Sequence, residues 1–492
     1  MLTFIIIPVE LNLAFIKIKT MKKAFLIISF GIAVINAYSQ TKFIKHYGPL
    51  SGEGNSLILN SNNDYIIAGR RNDDFCMYRL NNSGDTLWTK HYGGSYSDYA
   101  SQLIQTADGG YVSIGSSEYT AINYSNIYFV KTTNSGAVSW VKQIGGQTEE
   151  NATSLVQLAT GDYMIGGRTK YNSHGLFDLY VLKTNSNGDT LWTKKIGGAQ
   201  NEEISAMKKT TDGNIIISGY TASYTHGSKD CYLLKINPNG DTLWTKHYGG
   251  NLEDASAAVR QTSDGGYIIA GYSMSFGVSN QNMYVIKTNS AGDTLWTKTY
   301  GQPGRFSVAG DIVQTSDGGY AIAGTIRNTR VGGGQDAYLV KIDASGMVQW
   351  EREYETEPSH TTYSSAEGRS LIQTADGGFA IAGAWFNGSV YELLFIKTDG
   401  NGVVGIKEQQ ADEAYAVFPN PLTQSASLHF ENLQNETYTL SLFNSEGRLV
   451  QNMTNITSGA IEIQRNNLPC GLYFFQLQSE KGMRTTGKLM IE

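Results

Sequence analysis

Tryptophan falls at positions 88, 140, 192, 244, 296 and 350, so successive spacings are 52, 52, 52, 52 and 54 residues. Each of these tryptophans closes the same series of phrases. "LIQT" (Leu103–Thr106) comes first, then "DGGYIIAG" (Asp264–Gly271), then "YVLKTN" (Tyr180–Asn185), then "GDTLW" (Gly188–Trp192). Variants of the second phrase begin at 63, 108, 161, 212, 264, 317 and 376, which makes seven units of four short β-rich segments. A fixed period near 50 with four strands per unit predicts a β-propeller. One four-stranded unit is too small to cover both of its faces, and packing units side by side in a ring covers them.

The repeat also says how the ring closes. "KFIKHYG" at 42–48 aligns with "LWTKHYG" at 87–93 and puts Phe43 where Trp belongs, while the last unit ends in "GVVGIKE" with Ile406 in the Trp place. The N-terminal strand is therefore expected to complete the last blade and remove the open edge. The Trp of each fourth strand is expected to pack on the neighbouring blade. The expected fold is all-β: a seven-bladed propeller over 41–406 closed by an N-terminal strand, a linker at 407–414, and a small Ig-like β-sandwich over 415–492. The 55 glycines against 8 prolines suit strands joined by tight turns.

The N-terminus reads as a targeting signal. Met21-Lys22-Lys23 is basic, Ala24 to Ala37 is apolar, and Ala37 and Ser39 place small residues before a cleavage between Ser39 and Gln40. The apolar run is too short to span a bilayer. Translation is expected to start at Met21, with 1–20 upstream of the true start and 21–39 as signal peptide. No transmembrane span is expected in the mature chain.

Two resemblances follow from particular residues. "D-x-Y-L-x-K-x-N-x-x-G-D-x-L-W-x-K-x-x-G-G" resembles the repeat of secreted bacterial β-propeller proteins, which implies a fold and little about activity. In the tail, "FPNP" at Phe418–Pro421, "EGR" around Gly447, "LPCGLYFFQL" at 468–477 and "GKLMIE" at the end resemble the type A C-terminal sorting domain of type IX secretion cargo in Bacteroidetes. On that resemblance Pro419, Asn420, Pro421, Gly447, Leu468, Gly471, Tyr473 and Lys488 carry the sorting signal. The type IX machinery is then a partner, and the mature protein is secreted or held at the outer-membrane surface.

Chemistry is sparse. Charged residues are 17% of the chain and the net charge is −6, so no basic field for nucleic acid exists. There is no nucleophile elbow, no zinc-protease motif and no phosphate loop. Cys76, Cys231 and Cys470 fit neither a disulfide framework nor a metal motif and are expected to be buried. No catalytic set, cofactor or metal site is expected. "S-x-D-G-G-Y" resembles the Asp-box of sialidases, which is a structural turn.

One pattern remains. An acid stands four residues after the second Gly of "GG" at Asp98, Glu150, Glu202 and Asp254, and Glu53 takes that place after "HYGP". These positions precede the first strand of each unit and share a face with the loops between second and third strands. Those loops are long and mutually dissimilar, whereas the turns of the opposite face are nearly identical. A scaffold that varies one face among its own repeats uses that face. The expected binding face thus comprises Glu53, Asp98, Glu150, Glu202 and Asp254 with Tyr124, Tyr171, Tyr224, Phe276, Arg327 and Trp385, and the charge of the acids is expected to be compensated locally, each capping amides at its own junction between units. The function expected is a non-catalytic propeller scaffold binding extracellular glycan or protein. The alternative is a secreted propeller hydrolase or lyase acting on polysaccharide through carboxylates at the channel mouth.

Overall fold

The computed structural model describes residues 42–48, 52–94, 97–118, 125–171, 173, 176–225, 227–327, 329, 333–354, 364–404, 416–430, 436–444, 447–479 and 484–492. The chain divides into Met1–Ser39 and Gln40–Glu492, and the described strands belong to the second unit. The cleavage residues Ser39 and Gln40 lie outside the described residues, as does Ile406. Among the described residues all regular elements are strands, and no helix is long and apolar enough to cross a membrane.

The repeat units fold as four-stranded antiparallel sheets of the kind that form propeller blades. In the first, Gly52–Leu59, Tyr65–Arg71, Asp74–Leu80 and Thr86–His91 pair in chain order. Separate sheets of the same order begin at Asp98, Glu150, Glu202 and Asp254. The sets beginning at Ser307 and Ser364 are joined by a short parallel pairing of Gly334 with Ser364 and Gln335 with Ser365. Among the described residues the last set supplies Ser364–Gln373, Phe379–Phe386 and Tyr391–Lys397 from its own stretch. Its fourth strand is Phe43–Tyr47, antiparallel to Tyr391–Lys397 with Phe43 opposite Lys397 and Tyr47 opposite Leu393.

Burial follows strand order. In the sheet that begins at Asp254, "YIIAGYS" and "NMYVIKT" are buried almost throughout, while "TLWTKTY" is exposed or half-buried up to its last residue, the buried Tyr300. Middle strands covered on both faces read as continuous apolar runs. The cover comes from neighbouring sheets. Ile268, Met283 and Val285 of one sheet share a core with Ile312, Tyr320 and Tyr338 of the next. Leu57, Ile67 and Tyr78 of the first sheet share one with Ala380, Ala382, Leu393 and Phe395 of the last.

The recurring phrase "GDTLWTKHYGG" acts at these junctions. Gly240 has φ +77°, and a Cβ there would stand 2.5 Å from the ring of Trp192 in the preceding unit. Lys194, two residues after that Trp, pairs with Asp241 at 2.7 Å. Tyr248 then donates its hydroxyl to the carbonyl of Gly292 in the following unit at 2.6 Å. Each phrase therefore receives the previous unit through its Gly-Asp and grips the next through its Trp, Lys and Tyr. The closing strand uses the same grips: Phe43 lies beneath Gly84, Lys45 pairs with Asp85 at 2.7 Å, and Tyr47 donates to the Gly84 carbonyl.

In the tail, Ala416–Phe418, Ser425–His429 and Ala460–Gln464 form one sheet, and Leu449–Ile456, Tyr438–Phe443, Gly471–Ser479 and Arg484–Ile491 form another. One core draws on both, with Leu428 and Ile463 against Leu440, Phe475 and Leu489. The strand Leu449–Ile456 was not foreseen, because "LVQNMTNI" lacks the apolar alternation that marks a half-buried strand. Cys76 and Cys231 are buried, but Cys470 is exposed, since it sits in the turn before Gly471–Ser479 rather than in a core strand.

Candidate functional site

The acids of the repeat are not open to a ligand. Asp98, Glu202 and Asp254 are 0% exposed and Glu150 is 3% exposed. Each carboxylate accepts the amide of the second Gly of the preceding "GG": Gly94 to Asp98 at 2.8 Å, Gly146 to Glu150 at 3.2 Å, Gly198 to Glu202 at 2.8 Å and Gly250 to Asp254 at 2.8 Å. They fasten the chain where it passes from one sheet to the next, as local compensation requires, and as buried caps they are corrected from the ligand-contacting face. Glu53 is corrected in register as well. The bulge of the first sheet falls between Gly54 and Ser56, and that of the second between Ala100 and Gln102. Gly52 is therefore the counterpart of Asp98, and Glu53 is displaced by one residue. The cause is a connection one residue shorter: Tyr47 precedes Gly54 by seven positions, whereas Tyr92 precedes Ala100 by eight.

Burial, and then the neighbouring Asp74, push the Asp98 carboxyl above its usual range. A raised folded-state value means that the protonated form favours the folded chain. The contribution of this group is present at low pH and is lost as pH rises through the raised value. Asp98→Asn should change stability by about 1 kcal/mol or less at neutral pH, as the amide oxygen keeps the Gly94 bond. It should also flatten the pH dependence of Tm above pH 4, which a thermal melt series on both proteins checks. A chelator should leave Tm unchanged.

The loops between second and third strands carry the exposed aromatics. Tyr171 is 60%, Tyr224 47% and Phe276 43% exposed. Their backbones are pinned from the strand end: the amides of Tyr171 and Tyr224 donate to Thr169 and Thr221 hydroxyls, and that of Phe276 donates to Ser273. These loops meet the connections between sheets, because Gln200 and Leu252 donate their amides to Ser223 and Ser275. Leu176 and Val278 lie exposed in the same loops. Arg327 is exposed at the end of Tyr320–Arg327, and its carbonyl accepts from Arg305. Trp385 does not join them. It is 8% exposed, with its ring 4.0 Å from that of His46 on the closing strand, so it is corrected from a contact residue to a packing residue. Tyr124 lies outside the described residues.

A second set of charges was missed. Arg168 pairs with Glu149 and Glu203, both at 2.9 Å. Lys229 pairs with Glu253 at 3.0 Å and stands over the rings of Tyr220 and Tyr272. Arg369 holds Glu53 and Glu367, and Arg70 reaches Glu53 at 3.2 Å. Burial raises the Glu53 carboxyl, but Arg369 and Arg70 outweigh it and hold the group below its ordinary value. The signal was present in the doubled acids Glu149-Glu150, Glu202-Glu203 and Glu253-Asp254. The alternation of a strand sends neighbours to opposite sides, so one acid of each pair is buried and the other meets the basic residues.

Between the first strands lies a polar channel of about 330 Å³, lined by residues of all seven of them, from Asn55 and Ser101 through Thr153, Ser205 and Ala257 to Gly310 and Arg369.

In the tail, the Asn420 side chain accepts the Met490 amide at 2.8 Å and donates to the Lys488 carbonyl at 3.3 Å. Pro419 and Pro421 flank it on the surface. Gly447 closes a turn at φ +76°, Leu468 packs against the core, and Tyr473, at the head of the strand that Gly471 opens, donates to the Pro469 carbonyl at 2.8 Å.

Residues 416–492 match the secretion system C-terminal sorting domain family. The tail is thus a type IX sorting domain, and the chain is of the secreted or outer-membrane-surface class. Similar solved structures include the extracellular domain of a hybrid two-component system from B. thetaiotaomicron, at 11% identity and TM-score 0.42 over 92% of this chain and 57% of that one. A puromycin hydrolase is similar at 10% identity and TM-score 0.46 over 78% of this chain and 60% of that one. The regulatory protein FlaEY of Caulobacter vibrioides is 25% identical over 138 residues, which are 25% of this chain and 14% of that protein. The chain therefore spans a small part of that relative and little more than half of those structures.

Proposed function

We propose that this chain is a seven-bladed β-propeller closed by Phe43–Tyr47, followed by a small Ig-like sandwich, which the type IX machinery exports and which binds an extracellular glycan or protein through its variable loop face. The observation that carries the reading is the row of exposed Tyr171, Tyr224 and Phe276 on successive units, set beside the paired charges of Arg168, Glu203, Lys229 and Glu253. Rigid aromatic rings with polar groups alongside suit ligands that present both apolar and hydroxylated surface.

A hydrolase or lyase needs an acid held protonated near neutral pH beside an ionised partner. Glu53 is tied to Arg369 and Arg70, which hold its carboxyl below its ordinary value, and this supports binding over acid catalysis by that group. The test is a glycan array and a panel of extracellular proteins, probed with the secreted chain and with Tyr171→Ala/Tyr224→Ala/Phe276→Ala. Loss of at least about tenfold in affinity at unchanged Tm is expected, since aromatic anchors of this kind carry 2 kcal/mol or more each when central to an interface. Retention of full binding by the triple variant would remove this face as the site. Leu243→Ser/Leu295→Ser, on exposed outer strands, should bind as the parent does.

A further inference from the structure

The channel holds one cation that has no hydrogen-bonded counter-ion among the described residues. Four charged residues line it: Lys208, Arg260 and Asp311 from the fourth, fifth and sixth units and Arg369 from the seventh. Arg260 pairs with Asp311 at 2.6 Å. The same aspartate accepts the amides of Ile312 at 2.8 Å and Leu371 at 3.0 Å, and it attracts Lys208 without a hydrogen bond to it. Arg369, which also lines the channel, is taken up by Glu53, Glu367 and Asn55. Lys208 makes no hydrogen bond or ion pair with any described residue, and neither do the hydroxyls of Ser101 and Ser205 in the same channel. Lys208 is half-buried, and a cation in a narrow channel with no hydrogen-bonded counter-ion leaves positive charge that an anion can offset.

We propose that the channel is a binding site for a small oxyanion, a carboxylate or phosphate group, held by the Lys208 ammonium with Ser101 and Ser205 as further donors. This site is separate from the loop face and does not depend on it. The cavity of about 330 Å³ accommodates such a group with part of the molecule that carries it. The second lining cation, Arg260, adds to the positive field while Asp311 holds its guanidinium in place. Burial, and then Arg260, push the Lys208 amine down to about 7, against the opposing attraction of Asp311. A bound anion favours the charged amine, so binding takes up a proton and weakens as pH rises through that value.

The test uses the secreted chain with sodium acetate and, separately, inorganic phosphate, against sodium chloride at equal ionic strength. Acetate keeps its charge between pH 6.5 and 8.5, so its pH dependence reports the protein; phosphate shows whether the second charge is used. Saturable stabilisation in a thermal melt is expected with at least one of the two, roughly tenfold weaker or more at pH 8.5 with acetate if acetate binds. It should disappear in Lys208→Met. That variant should melt no lower than the parent in chloride, because it removes an unpaired charge and keeps the apolar stem. Stabilisation that never saturates, that equals that of chloride, or that persists in Lys208→Met would overturn the proposal. If Lys208→Met melts much lower in chloride, Lys208→Gln and the pH dependence in the parent decide in its place.

Discussion

Removal of residues up to and including Tyr47 is expected to cost on the order of 5 kcal/mol of stability. The deletion uncovers the half-buried Phe43, Ile44 and Tyr47 contacts, and burying such side chains fully is worth about 1.5–3 kcal/mol each. It also frees the hydrogen-bonding edge of Tyr391–Lys397 and strips cover from Phe395, whose ring meets Phe43 at 5.5 Å. The Lys45–Asp85 pair is exposed on its acid side and adds little to this sum. An open edge invites association between copies, so the shortened chain should aggregate on heating as well as melt early. Scanning calorimetry and light scattering on the mature chain and on the deletion read both effects. An unchanged melting temperature would mean that the last sheet does not need this strand.

Gly219→Ala should be nearly as damaging, at about 3 kcal/mol, the upper end for added core atoms. Gly219 lies in the second strand opposite the bulge between Ile204 and Ala206, and a Cβ there would overlap the carbonyl oxygen of Glu203, far inside the 3.0 Å that real Cβ atoms keep. Backbone on the facing strand cannot turn aside as a side chain does. The equivalent glycines 69, 115, 167, 271, 324 and 383 meet the same carbonyl of their own sheets, which explains the glycine that ends every "IIAG" phrase. Gly213→Ala is the comparison. That residue has φ +81° but open space around it, so the penalty is the left-handed conformation alone, about 1–2 kcal/mol. Urea unfolding of the two variants separates the mechanisms: equal losses would show that conformation, not contact, sets the requirement at Gly219.

The four-strand units and the pairing of the two ends were legible because Trp88 and its counterparts, and Phe43 in their place, mark the same strand of every unit. The function of each letter in "GDTLWTKHYGG" was not legible, since Lys194 and Asp241 meet across a junction that sequence spacing does not describe. Asp98 and its equivalents were found by register and expected as amide caps, but sequence could not tell whether they also face a ligand. An acid at a sheet-to-sheet connection reads alike in sequence whether it faces water or the amide of Gly94, and the loop's curl decides between them. Glu53 shows the cost of counting from a loop, because one missing residue moves it to the other side of the strand. Lys208 gave no signal, because a lysine in "AMKKTTDG" looks like a solvated turn residue until six other first strands surround it.

The account rests on the tail acting as an address for a propeller that works outside the cell. Surface protease accessibility of the propeller, compared between the whole chain and a chain ending at Glu413 in a host with type IX secretion, tests this most directly. The whole chain should be cleaved on intact cells or recovered from the medium. The shortened chain should be protected in the periplasm and become accessible only when the outer membrane is opened. Equal accessibility of the two on intact cells would contradict the account.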